Sequence, residues 1–343
     1  MSELIDHLAE LTGFRDRDVL DVTLVGAMKD LLRPSSVAIY RSVGEIGAQR
    51  WLTRARLTQH EPVAAADSAW AEFDLLPALE SHPLRQGAMA TQEPMHGTVG
   101  GSHVTVFPLA TDRDVVGVLE IETTEPLDNA ARRMVCSVLR IYRNFQGLLD
   151  YSERDTLTGL LNRKTYDEAF LKVSGESSAS YDRQHDGRRL SAHAGDIWLG
   201  VIDIDHFKRV NDNHGHLIGD EVLLLLSRLM RGSFRFHDRL YRFGGEEFVV
   251  LMRCVSEQDA ANALERLRSH TESYSFPQVG HITVSIGFTQ VRAGDTPNGA
   301  FERADKAIYY AKEHGRNQVV SHADLVARGV LSDSAKTGDV ELF

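Results

Sequence analysis

The tetrapeptide Gly244-Gly245-Glu246-Glu247 lies between two apolar, aromatic runs, Tyr241-Arg242-Phe243 and Phe248-Val249-Val250. A glycine pair between such runs marks a tight hairpin, because the turn needs positive φ. Two carboxylates follow the turn at once. Carboxylates beside bare glycine backbone can hold divalent cations against a large anion, whose approach no Cβ obstructs. The same four residues would also suit a solvated hairpin tip, so the surroundings must decide. A second acidic site closes the run Ile197-Trp198-Leu199-Gly200-Val201-Ile202, which is apolar enough for a central strand. Asp203 ends that strand and Asp205 follows two residues on, on the same face.

The bulk numbers limit what these acids can serve. With 343 residues the chain is long enough for two domains. Its 42% hydrophobic and 25% charged residues are those of a globular protein. The formal charge of −11 argues against a non-specific DNA binder or a membrane-surface binder. Cys136 and Cys254 lie in apolar runs and are expected to be buried thiols, which suits a reducing compartment. The start, Met1 to Asp6, lacks a basic and then apolar leader, and no apolar run reaches the roughly 18–20 residues of a membrane span. A cytoplasmic location is expected.

In chain order, residues 4–32 predict helix with a break near Gly13. Its expected apolar face is Val19, Val22, Leu24, Val25, Met28, Leu31 and Leu32, and Pro34 ends it. Strands are expected at 37–40 and 50–57. An irregular stretch over 58–102 carries a helix near 70–81, with Pro62, Pro77, Pro83 and Pro94 as punctuation and Trp70 and Phe73 as core. Strands at 103–109 and 115–122 are joined by the turn Thr111-Asp112-Arg113-Asp114. This predicts an antiparallel sheet with helices on one side. His82, His96 and His103 have no metal-ligand spacing. The order over 1–127, and the strand pair Phe107-Pro108-Leu109 with Val116-Gly117-Val118-Leu119, resemble a GAF domain, a ligand-sensing module, with a PAS-like sensor as the near competitor. Residues 128–154 predict one long helix. Ala131, Met134, Val138, Ile141, Phe145 and Leu148 alternate three and four apart, the a/d seam of a two-stranded coiled coil, so a homodimer through 131–148 is expected. The alternative is a helix that packs on its own domain.

The second half reads strand, helix, hairpin, helix, strand, helix, strand, ending with the strand 318–320. Residues 174–195 are polar and are expected to be a loop; residues 321–343 are expected to be a helical stub and tail. The expected class is α+β: a GAF-like sheet, a linking coiled-coil helix and a palm-like sandwich over 155–320. Four motifs carry a specific resemblance. Gly244 to Phe248 is similar to the signature of the GGDEF family of diguanylate cyclases in its GGEEF form. Asp155 to Arg163 resembles the family's D-x-L-T-G-L-x-N-R motif. Asp203 to Asp220 resembles its D-x-D-x-F-K-x-x-N-D-x-x-G-H-x-x-G-D block. Ala304-Asp305-Lys306-Ala307, Tyr310-Ala311-Lys312 and Gly315-Arg316-Asn317 resemble its closing segment.

The resemblance implies that two GTP molecules are joined into cyclic di-GMP, with magnesium, or else manganese, as the metal. By it, Asp203, the Ile204 carbonyl, Glu246 and Glu247 hold metal, and Glu246 takes the 3′-hydroxyl proton. Lys208, Lys312 and Arg316 counter phosphate, Lys208 at the transition state. Phe207, Asn211, His216, Asp220, Gly244 and Gly245 line the nucleotide, with Asp220 and Asn211 on the guanine edge. Arg235-Phe236-His237-Asp238 looks like the family's inhibitory product site, with Arg266 as a second arginine. Two domains must face each other to make product, so an unknown ligand or protein partner of 1–127 would act through the coil. The alternatives are a catalytically silent receptor for cyclic di-GMP and a cyclase that makes a mixed purine dinucleotide.

Overall fold

The computed structural model describes residues 16–44, 47–68, 70–110, 115–171 and 195–332. The expectations for 4–15, the turn 111–114, almost all of the 174–195 loop and the end of the tail from 333 lie outside the described residues. The chain is mixed α+β and divides into two compact units, Met1–Ser152 and Glu153–Phe343. Among the described residues no helix is long and apolar enough to cross a membrane.

The second unit is built on one strand. β7 (Asp196–Ile204) is buried at all but its first position, which is why its sequence is apolar almost throughout. Among the described residues the sheet has six strands, in the order β13 (Val319–Ser321), β12 (Val284–Gln290), β7, β9 (Glu247–Cys254), β8 (Arg239–Gly244) and β6 (Leu161–Asn162). β12 and β9 flank β7, both antiparallel. β8 pairs antiparallel with β9, while β6 and β13 add parallel edges. The expected strand 281–288 starts later. Gly280 and His281 instead form a small hairpin, β11, with β10 (Ser275–Phe276). The helices have local causes. Ser256 caps the helix Glu257–Ser273 by accepting from the Asp259 N–H, and Thr296 caps the helix Pro297–Glu313, whose first residue is proline.

In the first unit, α1 (Arg17–Leu32) begins at the Asp16 cap and ends at a left-handed Arg33. Among the described residues β1 (Ser36–Val43), β2 (Arg50–Thr58), β3 (Met95–Val99), β4 (Ser102–Ala110) and β5 (Val115–Thr123) form an antiparallel sheet in the order β2-β1-β5-β4-β3. Four expectations are corrected. The helix expected near 70–81 is two short 3-10 turns, Phe73–Leu75 and Leu79–Ser81, and the true helix, α2 (Pro83–Thr91), starts at Pro83. Proline suits a first helical position, where its missing N–H would have no partner. Helices cover both faces of the sheet, not one. α1 and the long α3 (Asn129–Glu153) pack on Ile39, Ala55, Phe107 and Ile121, while α2 lies with Tyr40, Trp51, Val106 and Val118 on the other face. On α1, Val19 and Val22 are 37% and 42% exposed, whereas Leu20 and Asp21 are buried. Cys136 is exposed and Cys254 half-buried, so neither is a core thiol.

α3 divides the expected seam. Val135, Val138, Tyr142, Gln146 and Leu149 are buried, so the helix packs on its own domain through a face that takes Val138 from the heptad row. Ile141 and Phe145 are half-buried against the same core, and Leu148 is 66% exposed. The buried face is polar at its centre. The Tyr142 hydroxyl donates to Asp21 on α1, and accepts from Arg41 of β1 at 2.7 Å and Gln146 at 2.8 Å. Asp21 also accepts from Arg41 and from Arg54 of β2, both at 3.4 Å. Arg17 extends the set to Gln146 and Asp150. Burial holds the Tyr142 phenol protonated, well above its ordinary pKa. One cluster thus joins α1, the sheet and α3. Tyr142→Phe removes the hydroxyl at its centre and leaves a buried carboxylate short of a donor, a loss of about 1–3 kcal/mol. Denaturant unfolding should show that drop in the first unit; a change within about 0.5 kcal/mol would mean the network is not structural.

Candidate active site

The carboxylates converge because of sheet register. Asp203 is the Cα partner of Glu247 across β7 and β9, and Gly244 pairs with Glu247 where β8 and β9 shift register at the turn. Directly paired residues on adjacent antiparallel strands have Cβ atoms roughly 4.5–5.5 Å apart. Glu246 precedes Glu247 at the start of β9. The turn itself is left-handed, with φ of 135° at Gly244 and 52° at Gly245, and both glycines are exposed. Nothing within 4 Å would meet a Cβ at either, so the backbone there lies open.

All three acids are raised, chiefly by burial. Burial, and then repulsion from Asp203, push Glu246 and Glu247 above the ordinary carboxylate range. Asp203 is 5% exposed, and burial raises it despite Lys312, whose ammonium meets its Oδ2 at 2.8 Å. Asp305 of the closing motif adds to the negative field on Asp203 and Glu247. Such a set favours a divalent cation with hard oxygen ligands, so the donor chemistry fits magnesium. Among the described residues no three acidic, histidine or cysteine side chains form a closed cage. A magnesium ion commonly takes one or two carboxylates and completes its shell with water and phosphate oxygens.

The hairpin is clamped from a distance. Arg242 donates to Asp155 at 3.1 and 3.2 Å and, with its other nitrogens, to the Gly245 carbonyl at 2.9 and 3.2 Å. Asp155 also accepts from the N–H and hydroxyl of Thr158. Burial pushes Asp155 up, but these Thr158 bonds and the Arg242 guanidinium outweigh it and hold the carboxyl below its usual value. The D-x-L-T motif therefore acts on the signature turn through Arg242, a role that sequence reasoning did not give to either residue. The signal was the presence of a cation and an anion in two motifs 87 positions apart.

The remaining predicted residues fall into three groups. Lys208 and Asn211 lie on α4 (Phe207–His214), and His216 and Asp220 on α5 (His216–Ser233), which packs beside it. Lys208, His216 and Asp220 are exposed and Asn211 half-buried. Phe207, expected against substrate, is 5% exposed and belongs to the hydrophobic core. Its ring end lies under Gly219, where a Cβ would come within 3.3 Å of it. Lys312 lies on α7 (Pro297–Glu313) and Arg316 in the turn that follows, exposed and left-handed at φ 62°. Lys312, expected on phosphate, is held by Asp203 here.

The third group is the R-x-x-D turn. Asp238 accepts from the Arg235 N–H at 2.8 Å and returns its own N–H to the Arg235 carbonyl at 3.0 Å. Burial pushes Asp238 up to about 6, against the Arg235 hydrogen bond and the charges of Arg235 and Arg266. Burial and Arg235 push the neighbouring His237 down to about 4. Arg266, from α6 (Glu257–Ser273), donates to the Ser233 carbonyl at 2.9 Å, so the three expected residues share one patch.

Residues 152–318 match the family described as diguanylate cyclase, GGDEF domain. The chain is 41% identical over 168 residues to the diguanylate cyclase DgcP of Pseudomonas aeruginosa, which is 48% of this chain and 23% of that one. It is 36% identical over 186 residues to the response regulator PleD of Caulobacter vibrioides, 52% of this chain and 38% of that one. The chain therefore spans well under half the length of either relative. Among solved structures, the GGDEF domain of DgcB from Caulobacter crescentus, in complex with c-di-GMP, is 31% identical with a TM-score of 0.43. That match covers 50% of this chain and 96% of the other.

Gly219 generates a specific test. A Cβ there would meet Asn211 Oδ1 at 2.0 Å, between the two residues expected on guanine. Alanine normally strengthens a helix by about 1 kcal/mol over glycine. Gly219→Ala is thus expected to fold with little change in melting temperature yet bind guanine nucleotide about tenfold or more weakly, because Asn211 is displaced. Calorimetry with GTP reads this directly, and unchanged affinity would remove Asn211 from the nucleotide site.

Proposed function

Residues 152–318 are a GGDEF domain of the diguanylate cyclase family, and from that premise we propose that this chain condenses two GTP molecules into cyclic di-GMP. The observation that carries the proposal is the pairing of Asp203 with Glu247 across β7 and β9, with Glu246 beside them and an open glycine turn next to all three. Magnesium bound by Asp203, Glu246, Glu247 and the Ile204 carbonyl would supply charge compensation at the transferring phosphoryl group. The chain's own residues do the rest. Asp220 and Asn211 accept the guanine N1–H and N2–H₂ donors, which adenine does not present as a pair. Glu246, raised by burial and by Asp203, accepts the proton of the 3′-hydroxyl. The 3′-oxygen then bonds to the α-phosphorus of the facing nucleotide, and the bond from that phosphorus to pyrophosphate breaks. Lys208 and Arg316 are exposed, and in this proposal they stabilise the phosphate charge. Lys312, now on Asp203, turns to phosphate in this proposal when metal takes the carboxylate.

Each domain supplies one nucleotide, so two copies must meet. The first unit, with its antiparallel sheet, is a GAF-like sensor in this proposal, and α3 is the element shared with a second copy. Leu148 and Tyr151, 66% and 79% exposed near the helix end, support that use. The Arg235, Asp238 and Arg266 patch is the site at which product feeds back.

Two measurements test the proposal. Incubation with GTP and magnesium should yield cyclic di-GMP by chromatography, and Glu246→Gln should lower kcat by about 10²–10⁴. No product from the wild type, with binding of cyclic di-GMP retained, would leave a receptor; a mixed product in the presence of ATP would leave a broader purine cyclase. The second measurement uses pH. Because Asp203, Glu246 and Glu247 are raised in the folded state, their protonated forms favour the fold, and that stability is lost as pH rises through the raised values. A cation offsets the repulsion only once protons leave. Added magnesium should therefore raise the melting temperature more at about pH 8 than at about pH 5. An equal shift at both would dissociate magnesium from these carboxylates.

A further inference from the structure

Asp205 is a buried acid that the scheme above does not use. It is 6% exposed, two residues after Asp203, directly after β7 ends. Its carboxylate is fully engaged. Oδ1 accepts from the Ser285 hydroxyl at 2.7 Å, and Oδ2 from the Thr283 hydroxyl at 2.6 Å. Oδ2 also accepts from the backbone N–H of Asn317 at 3.1 Å, 112 positions away. Buried charges cost stability unless hydrogen bonds satisfy them, and three donors here do so. The two hydroxyls, from β12 and the residue before it, fix the carboxylate. The third bond is the one with a consequence.

Asn317 belongs to the turn after α7. Gly315, Arg316 and Asn317 have φ of 113°, 62° and 43° in succession. Left-handed backbone is costly at a residue other than glycine, and two such residues in a row persist only where neighbours hold them. The neighbours are identifiable. The Arg316 N–H reaches the Ala311 carbonyl at 2.9 Å; the Asn317 side chain accepts from Arg268 at 2.8 Å and donates to Glu272 at 2.7 Å. Asp205 supplies the hold from the side of the active site. Lys312 on Asp203 and Asn317 on Asp205 are then two ties, two residues apart in the chain, between the end of α7 and the place where β7 ends.

We propose that Asp205 is a positioning residue for nucleotide binding: by holding the Asn317 N–H it keeps the left-handed turn that aims Arg316 at the triphosphate beside Asp203. It touches neither nucleotide nor metal. The inference rests on the reading of Arg316 as a phosphate contact, and it adds the device that sets that contact's direction.

A double-mutant cycle tests it, read by calorimetry with a non-hydrolysable GTP analogue and magnesium, and by turnover. Asp205→Ala and Arg316→Ala are each expected to weaken analogue binding about tenfold to a hundredfold, the scale of one charge-assisted phosphate contact. The double variant should be no weaker than Arg316→Ala alone, because both changes remove the same contact. In turnover, KM should rise more than kcat falls. Asp205→Asn keeps a carbonyl acceptor for the Asn317 N–H and should recover most of the affinity. If Asp205→Ala does not fold, Thr283→Val, which removes one orienting hydroxyl, enters the same cycle. Additive losses, or a fall in kcat with KM unchanged, overturn the inference. The cyclase proposal fails separately, through a wild type that binds the analogue and makes no cyclic dinucleotide; a wild type that does not bind it overturns both.

Discussion

Like charges held close at the end of a buried strand are the constraint around which the second unit is arranged. Asp203, Glu246 and Glu247 each sit above the ordinary carboxylate range, by burial first; nearby carboxylates add to it, Asp203 on both glutamates and Asp205 and Asp305 on Asp203. A site like this stores repulsion that a cation can release. The fold tolerates it because the strands beneath are fixed by apolar packing: Ile202, Phe248 and Val250 are fully buried, and so is Ile286 across the β12 pair. Lys312 offsets part of the charge at Asp203 from a neighbouring helix.

Support for the site comes from polar ties of long sequence separation. Arg242 links Asp155 to the Gly245 carbonyl, and Asp205 links the end of β7 to the turn at 315–317. Each tie connects a residue from one motif to backbone in another. Backbone partners leave side chains such as Glu246 and Arg316 free to face a ligand. The motifs are thus paired parts, each tie fixing the position of one motif against another, as preorganised sites require.

The first unit uses a similar device for another end. Its buried cluster of Asp21, Arg41, Tyr142 and Gln146 couples α1, the sheet and α3 where apolar contacts alone would allow sliding. Buried polar networks of this kind specify one arrangement, since any shift strands a donor or a charge. A movement of the sheet would therefore be passed to α3 through directed bonds. The helix carries two faces: one committed to its own core, the other ending at exposed Leu148.

Much of this was legible from local pattern. The apolar run before Asp203, the Gly-Gly turn and the capped helices of the second unit each follow from contacts within a few residues, and the motif spacing pointed to the family. Where the sequence misled, the deciding contact was distant. The heptad row on α3 looked like one face, yet Val138 turns to its own core because Tyr142 must reach Asp21, 121 positions earlier, and Gln146 must reach Tyr142. Cys136 sits in an apolar run but on the outward side of that helix. The Pro83 helix was hidden because proline reads equally as a stop and as a first residue. By itself, then, the sequence determined which groups could do chemistry and in which local element each would stand, since caps, turns and period-two alternation are short-range. Only the tertiary structure decided that Glu247 is the residue directly across from Asp203, that Phe207 is core, and that Asp205 answers to Asn317. Strand register and buried hydrogen bonds are settled by packing between segments far apart in sequence, 44 positions for Asp203 and Glu247 and 112 for Asp205 and Asn317, and no single stretch of chain contains that information.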